Sequence, residues 1–95
     1  MRLTAKQIEM IRNSIRKTFG NGTSIWLFGS RIDDSKRGGD VDIYVEPANV
    51  KPLMTVLQCK VTLEECLDLH VDLIVKEPGK EKPIYKIAKA QGAFL

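Results

Sequence analysis

Residues 40–45 read Asp-Val-Asp-Ile-Tyr-Val, and this alternation constrains the fold more than any other stretch of the chain. Side chains leave a β-strand on alternate faces, so Val41, Ile43 and Val45 share one face while Asp40, Asp42 and Tyr44 share the other. The aliphatic face has to be buried. That leaves two carboxylates on the opposite face, about 7 Å apart along the strand at roughly 3.3 Å per residue. A second run, His70–Val75, repeats the pattern, with Val71, Leu73 and Val75 on one face and Asp72 among apolar neighbours on the other. If the two strands pair, three carboxylates converge.

The remaining elements are set around these two strands. Thr4 with Gln7 three residues later forms a capping box, and Leu3 with Ile8 has the spacing of a hydrophobic staple, so a helix is expected over Thr4–Phe19. Ile8, Ile11 and Ile15 line one face of it, and Gly20-Asn21-Gly22 stops it. Ser24–Phe28 is a short β-rich run whose Ile25, Trp26, Leu27 and Phe28 are apolar on both faces, as in a strand covered on both sides. A polar turn, Gly29–Gly39, leads into the Asp40–Glu46 strand, which Pro47 ends. Val56, Cys59, Leu63 and Cys66 form one stripe of a helix from Pro52 to about Leu67. A last helix, Ile84–Gln91, is closed by Gly92. The order α-β-β-α-β-α predicts an α+β (α/β) domain, one unit over residues 1–95, with a small mixed β-sheet packed against helices.

Composition narrows the functional classes. Of 95 residues, 43% are hydrophobic and 28% charged, the balance of a soluble domain that needs no disulfide or metal staple. The apolar runs are far shorter than the roughly 20 residues of a membrane span, and the N-terminus lacks the apolar core of a secretory signal, so a cytoplasmic protein with no membrane partner is expected. Cys59 and Cys66 on one helix would lie roughly 10 Å apart, too far for a disulfide, and are expected as free thiols buried on that helix face. A structural zinc site is not expected with one histidine, His70, which reads as a strand-end residue. The net charge of +3 is scattered along the chain, and direct nucleic-acid binding is not expected.

The chemistry concentrates at the aspartates. Two like charges held close repel each other, and a divalent cation between them removes the repulsion; hard oxygen ligands of this kind suit Mg²⁺. A D-x-D pair alone is an ordinary strand end. What distinguishes this one is the strand ahead of it, which runs straight into Gly29-Ser30, where glycine permits close backbone approach and a hydroxyl with neighbouring amides can hold phosphate oxygens. Arg31, Lys36 and Arg37 lie in the intervening loop and are candidate phosphate contacts, with solvated loop charge as the alternative. Tyr44 shares the carboxylate face and is expected as a sheet-surface tyrosine.

Leu27-Phe28-Gly29-Ser30, nine residues, Asp40-Val41-Asp42-Ile43 and later Val71-Asp72-Leu73-Ile74 together resemble the DNA-polymerase-beta-like nucleotidyltransferases, and within them the minimal nucleotidyltransferase (MNT) antitoxins. The resemblance extends to Pro83-Ile84-Tyr85-Lys86-Ile87-Ala88 and Gly92. The loop between Ser30 and Asp40 is one residue shorter than is common in the antitoxin members, and Gly39 stands where many carry serine. The resemblance implies the nucleotidyltransferase fold, phosphate or nucleotide contacts at Gly29, Ser30, Arg31 and Gly39, and a two-metal Mg²⁺ site on Asp40, Asp42 and Asp72. The last of these would also help deprotonate the acceptor. It further implies transfer of NMP, with AMP first in line, from ATP or another NTP to a hydroxyl, with a tyrosine of a HEPN-type toxin as acceptor. Two alternatives stand beside it: a non-catalytic antitoxin that neutralises its partner by contact, and a small-molecule nucleotidyltransferase of the aminoglycoside-modifying type. A sheet this small has edge strands open to self-association or partner docking, so a homo-oligomer is compatible with this reading.

Overall fold

In the computed structural model, residues 3–28 and 40–95 are described, the side chain of Asp40 excepted. The first helix, α1 (Ala5–Phe19), starts where the capping box places it: Thr4 Oγ1 accepts from the Gln7 amide at 3.1 Å, and Gln7 Oε1 accepts from the Thr4 amide at 2.8 Å. It ends at Gly20, whose φ of 107° suits glycine and lets the chain turn under Asn49, whose amide and side chain both donate to the Phe19 carbonyl. Then come β1 (Ser24–Phe28), β2 (Asp40–Glu46), α2 (Leu53–Leu67), β3 (His70–Val75), α3 (Pro83–Gln91) and a two-residue strand, β4 (Ala93–Phe94).

The four strands form one mixed sheet in the order β3-β2-β1-β4. β1 runs antiparallel to both β2 and β4, while β2 and β3 are parallel. Parallel neighbours need a crossover, and α2 supplies it. β4 extends the expected element order by one strand. It docks beside β1 through the pairs Trp26 with Phe94 and Leu27 with Ala93, after Gly92 ends α3.

The sheet is covered on both faces, by different chemistry. On one, Ile25, Leu27, Val41, Ile43, Val45 and Val71 meet Ile11, Ile15 and Phe19 of α1 and Cys59, Leu63 and Leu67 of α2 in an aliphatic core. On the other, α3 lays Tyr85 and Ala88 over Phe28 and Tyr44, flanked by Trp26, Ile74 and Ile84. The Cys59–Cys66 stripe needs correction. Cys59 is buried, but Cys66 is exposed and Leu67 fills the core position, because the arc that meets the sheet runs through residues 59, 63 and 67. Both cysteines are free thiols, and burial raises the Cys59 pKa against a hydrogen bond from Thr18 that lowers it. Among the described residues, no helix is long and apolar enough to cross a membrane.

Candidate active site

The α3-covered face resolves into rows, because residues paired across a sheet point the same way. Trp26, Tyr44 and Ile74 form one row across β1, β2 and β3. Phe28, Asp42 and Asp72 form the next. The first row lies under α3. Tyr44 is fully buried there, with ring centroids 5.3 Å from Tyr85 and 5.5 Å from Trp26. This corrects the surface position expected for it: strand alternation reports which face a residue is on, and the later return of α3 decides whether that face is wet. The phenol donates to Glu46 at 2.9 Å, and burial, with the Glu46 carboxylate beside it, drives its pKa well above the ordinary tyrosine value.

Asp42 and Asp72 occupy the row beyond this aromatic patch. Their Cα atoms are register partners on adjacent parallel strands, so the two carboxylates issue side by side from one face. Asp42 is half-buried, and the Asp72 side chain is about half exposed at 51%. Asp40 opens β2 with its Cα opposite His70, one step further toward the same end of the sheet. The aliphatic residues between these aspartates, Val41, Ile43 and Val71, are fully buried on the far face and fix the register. A one-residue slip of either strand would drive its carboxylates into the aliphatic core.

The neighbourhood of Asp72 holds a feature that the sequence reading did not anticipate. His70 lies between two carboxylates, its Nδ1 3.0 Å from Glu64 Oε2 and its Nε2 3.6 Å from Asp72 Oδ1. Glu64 also accepts the Val71 amide at 3.0 Å, and this hydrogen bond is the main reason its carboxyl titrates below the ordinary value, with Lys60 and His70 adding to the effect. The link crosses from α2 to β3 around the tight turn at Asp68, whose φ is 54°. A local sequence signal exists only in part: an acidic residue in the last turn of a helix just before a histidine-led strand.

Gly29, Ser30, Arg31, Lys36, Arg37 and Gly39 lie outside the described residues, as does the Asp40 side chain. Among the described residues, no three His, Cys, Asp or Glu side chains form a group that could hold a metal ion. Asp42 and Asp72 themselves suit a hard cation. Both issue from one face, in register, and the Asp72 side chain is about half exposed beside the aromatic patch that α3 packs on.

No family profile and no curated protein matches the chain. Solved structures do. The fold matches a chain from the complex of tri-AMPylated Shewanella oneidensis HEPN toxin with MNT antitoxin at TM-score 0.75 and 22% identity, over 94% of this chain and 68% of that one. It matches a toxin–antitoxin solved with AMP-PNP at TM-score 0.68 and 24% identity, over 87% of this chain and 70% of that one. A third match is the MntA–HepT toxin–antitoxin, at TM-score 0.61 and 22% identity, covering 90% of this chain and 69% of the other. The fold shared with these MNT antitoxin complexes is the α+β, mixed-sheet architecture expected from the element order.

Proposed function

We propose that the chain is a single-domain minimal nucleotidyltransferase of the MNT antitoxin kind, which moves an NMP, AMP first in line, from a nucleoside triphosphate to a hydroxyl of a HEPN-type toxin. The observation that carries this reading is the in-register pair Asp42 and Asp72 on the same sheet face, beside the Tyr44–Tyr85 aromatic patch. Support comes from structures of the same fold whose partners include an AMPylated HEPN toxin and in one of which AMP-PNP is present. Cytoplasmic location belongs to the same proposal.

In this reading Asp40, Asp42 and Asp72 hold two Mg²⁺ ions, which would offset the negative charge that grows on the attacking and leaving oxygens. Gly29 and Ser30 hold the terminal phosphates, with Arg31 and Gly39 lining the same loop. Asp72, on the outer strand, accepts the proton of the incoming hydroxyl in this reading. His70, buttressed by Glu64, restrains the Asp72 carboxylate from one side. The aromatic row under α3 walls the site with rings rather than water, which favours charged contacts at its rim.

The test is incubation with labelled ATP, Mg²⁺ and the HEPN-type product of an adjacent reading frame. Label on that partner, lost in Asp40→Asn with Asp42→Asn, is the expected result. If the double variant protects cells as well as the unaltered chain does, neutralisation runs by contact and the catalytic reading fails. Label on an aminoglycoside instead would move the acceptor to a small molecule.

A further inference from the structure

Helix α2 is apolar on two sides. Cys59, Leu63 and Leu67 face the core, while Leu53, Met54, Leu57 and Val61, with Val50 just ahead of the helix, stand 72%, 65%, 44%, 50% and 66% exposed. These five are among only seven exposed large hydrophobic residues in the described structure. At about 100° per residue they fall within an arc of roughly 100°, the width of a face that a helix normally buries. An apolar face of this extent marks an interaction surface.

The charges at the two ends of α2 indicate what covers it. A helix favours acidic groups at its N-terminus and basic groups at its C-terminus. α2 has the reverse. Its N-cap is Pro52 with no side-chain cap, its first turn carries no acidic residue, and Lys51 stands immediately ahead. Its last turn carries no basic residue, holds Glu64 and Glu65, and runs into Asp68. An oppositely directed second α2 corrects both ends at once, bringing Glu65 and Asp68 to the N-terminus and Lys51 to the C-terminus, twice over by symmetry.

We propose that two copies of this chain associate through antiparallel packing of their α2 helices about a two-fold axis near Gln58. Leu53, Met54, Leu57 and Val61 of each helix interdigitate with their counterparts, and Lys51 of each copy faces Glu65 of the other. α2 lies on the sheet face opposite Asp42 and Asp72, so the dimer leaves both carboxylate sites open and pointing away from the interface. The proposal is independent of nucleotide transfer: a chain that labels no acceptor can still dimerise, and a monomer can still transfer.

Sedimentation equilibrium of the full chain at up to about 100 μM tests it, a concentration at which even a modest interface is populated. The expected mass is twice the 10.7 kDa of the monomer. Leu57→Asp is expected to give a monomer whose thermal midpoint is that of the unaltered chain at a concentration where both are monomeric, the side chain being exposed. Lys51→Glu and Glu65→Lys should each weaken the dimer about tenfold, because the axis counts each change twice, and the two together should restore it. A monomer throughout the range overturns the proposal. So does a dimer that survives Leu57→Asp, which would place the contact elsewhere, or a charge swap that fails to rescue. A stripe that holds a different protein overturns it too, seen as Leu57→Asp abolishing capture of that protein while the chain alone stays monomeric.

Discussion

The two rows on the α3 side of the sheet sit one residue-pair apart yet have opposite characters. Trp26, Tyr44 and Ile74 lie beneath a helix, and the one strong polar group among them, the Tyr44 hydroxyl, is tied to Glu46. Phe28, Asp42 and Asp72 form the neighbouring row, and its two carboxylates reach solvent. The difference is where the packing of α3 ends within the second row: Phe28 on β1 is buried under it, while Asp42 is only half-buried and Asp72 is about half exposed. A carboxylate under that helix would lose its hydration without a partner, a cost of several kcal/mol. At the positions of Asp42 and Asp72 a carboxylate keeps water, or a cation, within reach. The aromatic packing on Tyr44 and Phe28 therefore holds the sheet together, and the two carboxylates beside it stay available for chemistry.

The contrast breaks most sharply at Asp42 and Asp72. Under the proposed reaction, Asp42→Asn or Asp72→Asn should lower transfer about a thousandfold or more, with the thermal midpoint unchanged or raised because like charges are relieved. Matched activity and melting measurements check both halves. On the aliphatic face, Ile43→Ala should do the opposite, costing about 2–5 kcal/mol of stability by denaturant unfolding, since Ile43 of β2 is fully buried in the aliphatic core. Where α3 ends against β1, Gly92→Ala should cost about 1–3 kcal/mol. A Cβ there runs into the Ala88 carbonyl and crowds the Leu27 carbonyl at 3.1 Å, prying the end of α3 away from β1. Tyr44→Phe should cost about 1 kcal/mol, the worth of its hydrogen bond to Glu46, leaving Glu46 with its Lys89 pair at 3.2 Å.

The smallest expected effect is at the entry to α3. Lys82 at 2.9 Å, then Lys80 at 3.4 Å, hold the Glu77 carboxyl below its ordinary value of 4.5. Its folded pKa is therefore the depressed one. The contribution is present above 4.5 and fades as pH falls through the lowered value, and Glu77→Gln should flatten that part of the acid melting profile slightly.

What could be read from the sequence alone follows from the range of the forces involved. Thr4 with Gln7, the alternation of Asp40–Val45 and the Gly20 and Gly92 stops are decided within a few residues, and each element they mark is where it was expected. Tyr44 turned on which face of the sheet a later helix covers, and Cys66 on which arc of its own helix meets the sheet, both matters of tertiary packing. β4 is two residues long, too short for periodicity, and exists because Gly92 returns the chain to β1. The pairing of Asp42 with Asp72 was conditional on strand adjacency, which the α2 crossover supplies. His70 with Glu64 depended on how α2 turns into β3 at Asp68, and no local pattern encodes that angle.

The hydrogen bond from the Val71 amide to Glu64 bears on how the chain behaves among its own kind. β3 is the outer strand of the sheet, and an outer strand with vacant amides is a template on which further strands can stack into fibres. At Val71 the amide is taken by a carboxylate that brings negative charge to that border and that another strand would have to displace. The same glutamate that buttresses His70 thus also covers one edge amide of β3 with a charged group, the kind of cover that discourages strand addition.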